Sequence, residues 1–266
     1  MSTNQHPFDS ALELKIEDNY FIGRTSPDYA NVIGPFGGMT AAVMLHAVLK
    51  HPERQGEPIS LTVNFASAVQ DGEFKIEAQV MRTNRSTQHW FINMIQNGES
   101  VTTATAVLAT RRETWQTTDL EFPSFQANAE PFATSMMPRW AQNYSFRFAG
   151  DANPLMSAES DSSVTLQMIQ DKPPRPLDFL SLTAMVDVFP PRIFVRRPKM
   201  VPAGTVAITI YYHVDSEMLA THGDGEIIGH ARGNRFYNRY CDQSAELWTP
   251  SGELLVTSTQ IVYFKE

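Results

Sequence analysis

The chain repeats itself, and the repeat constrains its fold more than any single motif. Residues 59–66 read ISLTVNFA and residues 206–214 read VAITIYYHV. Both alternate apolar and polar side chains, the mark of a half-buried strand. Residues 97–108 (NGESVTTATAVL) and 251–263 (SGELLVTSTQIVY) each open with a polar-Gly-Glu turn and continue as a Thr- and Val-rich strand. With Gly98 laid on Gly252, Ala106 falls on Gln260. Repeats of this kind decide the architecture before any local detail does.

Each copy carries a helix ahead of its strands. The first is 37–51, GGMTAAVMLHAVLKH, apolar on nearly every side and therefore expected to be buried. The second is 176–189, PLDFLSLTAMVDVF, closed by Pro190-Pro191, which stop a helix. Leading strands are expected near 12–22 and 144–149. Residues 116–142 are rich in Pro, Ser and Thr, lack a clear period, and read as a linker or crossover. The expected organisation is an N-terminal unit over 1–115, a linker over 116–142 and a C-terminal unit over 143–266. A sheet curled round one apolar helix is the hot-dog arrangement, and two in tandem make an α+β double hot dog. The alternative is a larger mixed α+β sandwich.

Composition narrows the function. Of 266 residues, 42% are hydrophobic and 19% charged, which is globular rather than disordered. The net charge of −8 argues against a nucleic-acid partner, which needs a basic face. Cys241 is the only cysteine, so no intrachain disulfide forms, which suits a reducing compartment. The N-terminus does not read as a secretory signal. The longest apolar stretch, 37–49, is too short to span a bilayer. The expected location is cytoplasmic. No lysine follows a glycine, and there is no GxSxG, HExxH or CxxC, so a phosphate loop, a hydrolase elbow and the common zinc sites are not expected. The expectation is an activity with no metal and no cofactor.

GPFGGMTAAVML (34–45), SLTVNF, the RTNRS turn (82–86) and QNGESVTTATAVL resemble the first half of the acyl-CoA thioesterase II family. LTAMVDVF (182–189), VAITIYYHV and SGELLVTSTQ resemble its second half. The resemblance implies the double hot-dog fold and hydrolysis of a fatty or related acyl-CoA in lipid metabolism, with coenzyme A as part of the substrate. It also implies a water held by an aspartate, a threonine and a glutamine. By motif these fall on Asp187, Thr209 and Gln260. The family often has an Asp-His pair soon after the threonine, where Ile210, Tyr211 and Tyr212 stand here.

The residues add their own argument. Asp187 lies in an apolar segment and close to a helix C-terminus, where the dipole disfavours an acid. Burial there would raise its pKa toward the working range of a general base. Gly37 and Gly38 open the first helix, whose free N–H groups suit an oxyanion. Packing of helix on sheet is the other reading of these glycines. Arg82 and Arg85, or Arg196 and Arg197, are candidates for the phosphates of coenzyme A, a solvated basic loop being the alternative. Two rival functions stand beside hydrolysis: a non-catalytic acyl-CoA binding protein, and a hot-dog enoyl-CoA hydratase. The hydratase would need an Asp-x4-His dyad, and no histidine from His46 onward has an aspartate five residues before it. A homo-oligomer is expected, since exposed sheet faces in such folds pair.

Overall fold

The computed structural model describes residues 5–128, 130–149, 158–197 and 199–265. The first half runs α1 (Pro7–Ala11), β1 (Lys15–Glu17), β2 (Tyr20–Arg24), α2 (Gly37–Lys50), β3 (Glu57–Phe65), β4 (Glu73–Thr83), β5 (Thr87–Gln96) and β6 (Glu99–Ala109). The second runs β7 (Tyr144–Phe148), β8 (Thr165–Asp171), α3 (Phe179–Met185), α4 (Arg192–Arg196), β9 (Ala203–Tyr212), α5 (Ser216–His222), β10 (Ile227–Arg232), β11 (Phe236–Tyr237), β12 (Tyr240–Trp248) and β13 (Leu254–Phe264).

All strands join one 13-stranded sheet in the order β1-β2-β4-β5-β6-β3-β9-β13-β12-β10-β8-β7, with the short β11 on β12. The order reads the same from either edge: two leading strands, then three in hairpin succession, then the strand that follows the helix. The two halves meet where β3 pairs antiparallel with β9. This is the double hot dog, two helix-bearing sheets merged into one. The registers carry the repeat residue by residue. Thr62 pairs with Thr105 and Leu61 with Ala106, as Thr209 pairs with Thr259 and Ile208 with Gln260.

Both halves place their apolar alternation on the same side of the sheet. Leu61, Val63, Ile208 and Ile210 are each at most 2% exposed, while the residues between them face outward. The all-round apolarity of α2 follows from where it sits: ten of its fourteen residues are buried. Side chains such as Met44, Leu45 and Val48 each contribute about 1.5–3 kcal/mol there.

The second helix is shorter than the expected span of 176–189. It opens at Phe179 behind a capping box in which Asp178 and Ser181 bond each other's backbone N–H. It ends at Met185, and the chain tightens into i→i+3 bonds, Asp187 N–H to Ala184 C=O at 3.1 Å among them. Phe189 precedes a proline, which disfavours helical backbone and closes the segment.

The crossover over 116–142 is anchored rather than loose. The Phe132 N–H bonds the Phe146 carbonyl at 2.7 Å, Ala127 bridges Ala149, and Trp140 stacks on Phe36 with centroids 4.3 Å apart. It thereby covers the start of α2. Among the described residues, no helix is long and apolar enough to cross a membrane.

Candidate active site

The start of α2 and the end of α3 meet across the joint between the halves. The contact is close because Gly37 and Gly38 have no side chain. A methyl on Gly37 would stand 2.8 Å from Asp187 Oδ2, and one on Gly38 would stand 2.6 Å from the Ala184 carbonyl oxygen. No side chain caps α2, and its first intrahelical bond is that of the Thr40 N–H to the Phe36 carbonyl, 3.1 Å. The amides of Gly37, Gly38 and Met39 precede that bond, so the positive end of the helix is directed at Asp187.

Asp187 sits in the turn just past α3, partly open to solvent as a residue but with its carboxyl largely desolvated. Burial raises its pKa from 3.8 to about 7. The Gly38 N–H and the Gln260 side-chain amide both act on it as donors and hold that value down from where burial alone would put it. The carboxyl is thus poised near neutrality, where it can take a proton or give one back.

Gln260 is 5% exposed and projects from β13 toward the helices. Its orientation is fixed from behind: the Thr205 hydroxyl donates to Gln260 Oε1 at 3.0 Å, which leaves the amide N–H groups for Asp187. The result is a chain of donors, Thr205 to Gln260 to Asp187.

Of the three residues assigned by motif, the fold brings Asp187 and Gln260 together and separates Thr209 from both. Thr209 pairs with the exposed Thr259 and with Thr62, and its hydroxyl lies 3.1 Å from that of Thr62 on the outer face of the sheet. Simple alternation between the buried Ile208 and Ile210 turns Thr209 outward, and a β-bulge brings Thr205 inward in its stead. Ile261 pairs with Ala207 but Val262 with Thr205, so Val206 is an extra residue in β9. Beyond it, facing reverses: Thr205 turns inward where uninterrupted alternation would turn it outward. The sequence carries a trace of this in the adjacent apolar pair Val206-Ala207, which breaks the alternation.

The candidate phosphate-binding arginines lie in two groups. Arg82 and Arg85 lie exposed near the β4–β5 turn, and Arg82 Nε donates to Asn84 Oδ1 at 2.8 Å. Arg196 bonds the Asp161 backbone carbonyl, and Arg197 pairs with Glu159 at 3.6 Å. Their neighbour Arg192 is no part of a solvated loop. It is fully buried, donates to the Ser163 and Ala231 carbonyls and to Thr165 Oγ1, and burial lowers its pKa to about 9. Among the described residues, no group of acidic, histidine or cysteine side chains is arranged to hold a metal. An open cavity of about 310 Å³ runs along Gln70–Lys75 and Ile95–Gly98, and none of the residues around Asp187 lines it.

Residues 25–109 match the family model of the acyl-CoA thioesterase N-terminal domain, and residues 117–264 that of the C-terminal domain. No curated protein sequence matches. A conserved protein of unknown function with a hot dog fold from Alicyclobacillus acidocaldarius is 43% identical, with a TM-score of 0.94 over 98% of this chain and 99% of that one. A thioesterase II, so described without proof, from Thermobifida fusca superposes with a TM-score of 0.83 at 17% identity, covering 97% of each chain. An acyl-CoA thioesterase II of Mycobacterium marinum gives 0.74 at 15% identity, covering 97% of this chain and 96% of that one. The last two share the fold. The family models span nearly the whole chain, one per half, and the chain belongs to the acyl-CoA thioesterase family.

Proposed function

We propose that the chain hydrolyses the thioester of a fatty or related acyl-CoA, with Asp187 as general base. The observation that carries this reading is a carboxyl raised to about pH 7 where the positive end of α2 meets the turn after α3. A water beside Asp187 loses a proton to the carboxylate as its oxygen attacks the thioester carbon. The charge that develops on the carbonyl oxygen is taken up at the start of α2, by the amide of Gly37 and by that of Gly38, whose bond to Asp187 weakens as the carboxylate takes the water's proton. The C–S bond then breaks, and the proton on Asp187 goes to the departing coenzyme A sulfur. The acid product keeps the water's oxygen. Gln260, held by Thr205, orients the carboxylate and the water. No metal or cofactor takes part in this scheme.

The exposed Arg82 and Arg85 on one side, and the half-buried Arg196 with the exposed Arg197 on the other, are the proposed contacts for the phosphates of coenzyme A. We place the enzyme in the cytoplasm and in lipid metabolism. A second copy is proposed to pack on the uncharged outer face of the central strands. Release of free thiol from a panel of acyl-CoA esters tests the activity. Absence of hydrolysis across the panel, from protein that binds acyl-CoA, would favour the non-catalytic binding role.

A further inference from the structure

Beside Gln260 lie polar groups that the mechanism does not use. Gln243 stands directly across from Gln260 on β12, one strand away at about 4.8 Å. It is 1% exposed, and both its Oε1 and its Nε2 are buried with no protein partner. Ser258 precedes Gln260 by two residues and so shares its face, about 7 Å along β13. It is 3% exposed, and its hydroxyl is also buried without a partner. Arg192 does not satisfy them, since its guanidinium is committed to Ser163, Thr165, Ala231 and Pro190.

The repeat shows that this polarity is not a requirement of the fold. By the same registers, Trp90 stands across from Ala106 as Gln243 stands across from Gln260, and Ala104 precedes Ala106 as Ser258 precedes Gln260. Trp90, Ala104 and Ala106 are each 1% exposed and pack in the apolar core under α2. The second half has polar groups at all three positions. It also has a helix of 7 residues where the first has 14. An unpartnered buried amide or hydroxyl costs about 1–3 kcal/mol. Three unpartnered polar atoms on one buried patch, in the half that holds Asp187, lack the bonds that a ligand group could supply.

Resting on the thioesterase reading, we infer that Gln243 and Ser258 form a subsite for a hydrogen-bonding substituent on the acyl chain. The substrate class is an acyl-CoA with a hydroxyl or oxo group near the thioester, on the second or third carbon. With the thioester carbon beside the water at Asp187 and Gln260, an acyl chain that runs across β13 toward β12 would bring those carbons to Gln243, one strand spacing away. The Gln243 amide offers a donor and an acceptor, and Ser258 offers either, so a hydroxyl is bonded in both senses. An unsubstituted chain would cover the amide and hydroxyl and leave them unbonded, which is the arrangement that discriminates most strongly.

The test compares 3-hydroxyoctanoyl-CoA with octanoyl-CoA, both in hydrolysis and in binding of the non-hydrolysable thioether analogue of each. The wild-type protein should favour the hydroxylated member about tenfold or more in kcat/KM and in affinity. Gln243→Met keeps the volume, removes an unpartnered buried amide and should leave the melting temperature unchanged or raised. It should abolish or invert the preference, with octanoyl-CoA turned over better than by wild type because its chain no longer covers an unbonded amide. Ser258→Ala should reduce the preference by a smaller factor. Equal binding of the two analogues by wild-type protein overturns the inference, as does a Gln243→Met variant that changes both substrates in parallel. If the analogues are discriminated but neither ester is hydrolysed, the subsite stands and the thioesterase reading falls.

Discussion

Thr62 and Thr209 face each other across the central strand pair with their hydroxyl oxygens 3.1 Å apart. They hold equivalent places in the two halves, so the contact marks the axis about which one half is turned onto the other. Around it the outer face presents Thr105, Thr259, Tyr211 and Ile261, none of them charged, with Tyr211 48% and Ile261 43% exposed. If a second copy packs on this face, Tyr211→Glu should convert a dimer to a monomer in light scattering, with secondary structure unchanged. A wild-type protein that is monomeric at high concentration refutes the packing.

Asp187→Asn should lower kcat by about 10²–10⁴-fold, the usual loss when a general base is removed. Retention of more than about a third of wild-type kcat would remove Asp187 from that role.

The same substitution should stabilise the fold, and the pH dependence follows from the direction of the shift. The folded carboxyl is raised to about 7 from an unfolded value near 3.8, so the native state binds the proton more tightly. Below about pH 4 both states are protonated and no penalty exists. As pH rises toward 7 the wild type loses stability, and above 7 the loss is complete. The gain in melting temperature of Asp187→Asn over wild type should therefore be largest at pH 8 and vanish near pH 4. Asp171 is also raised to about 7 by burial, but it is common to both proteins and cancels in the difference. A gain independent of pH would contradict the assignment.

The acid limb of the kcat/KM profile should fall near pH 7. In Gln260→Leu the carboxyl loses a donor that holds its pKa down, so the limb should move to higher pH while kcat drops. Movement to lower pH would mean that the amide does not serve the charged form.

Gly37→Ala sets a methyl 2.8 Å from Asp187 Oδ2 and close to Phe65. We expect a folded protein with kcat reduced at least about tenfold, because small displacements of positioned groups are costly to rate. Normal turnover would show that the close approach of α2 to Asp187 is dispensable.

Thr205→Val and Thr209→Val separate the two threonines. The first removes the hydroxyl that fixes Gln260 and should lower kcat several-fold. The second should leave kcat within about twofold, at a stability cost of about 1 kcal/mol for the lost hydrogen bond. The opposite ranking would return the role to Thr209.

Much of this arrangement can be read in the sequence because it depends on pattern. The two alternating strands, the all-apolar helix at 37–50 and the Gly98–Gly252 alignment are periodicities, and burial enforces periodicity. Asp187 is legible as an acid out of place in an apolar segment. What escapes is whatever depends on parity or on partners distant in sequence. Thr205 is hidden by the extra residue between it and Ile208. The burial of Arg192 depends on the Ser163 carbonyl ahead of β8, the Thr165 hydroxyl on β8 and the Ala231 carbonyl on β10. Gln243 reads as an ordinary polar strand residue until its place opposite Gln260 is known.

The bulge at Val206 makes the facing of Thr205 a matter of count as well as of residue identity. With two residues between Thr205 and Ile208, regular pairing would set Val206 opposite Val262 and turn Thr205 to the outer face, leaving Gln260 free to turn its amide the other way. The bulge puts Val206 outside instead, 41% exposed and clear of the centre. Deleting Val206 leaves one residue between Thr205 and Ile208, so a regular β9 would keep Thr205 inward and the donor chain to Asp187 intact. β3 carries the same irregularity, with Ile59 the extra residue between Pro58 and Ser60, so the first half lacks a donor chain by residue identity and not by register: Pro58 stands in the place of Thr205 and Ala106 in that of Gln260.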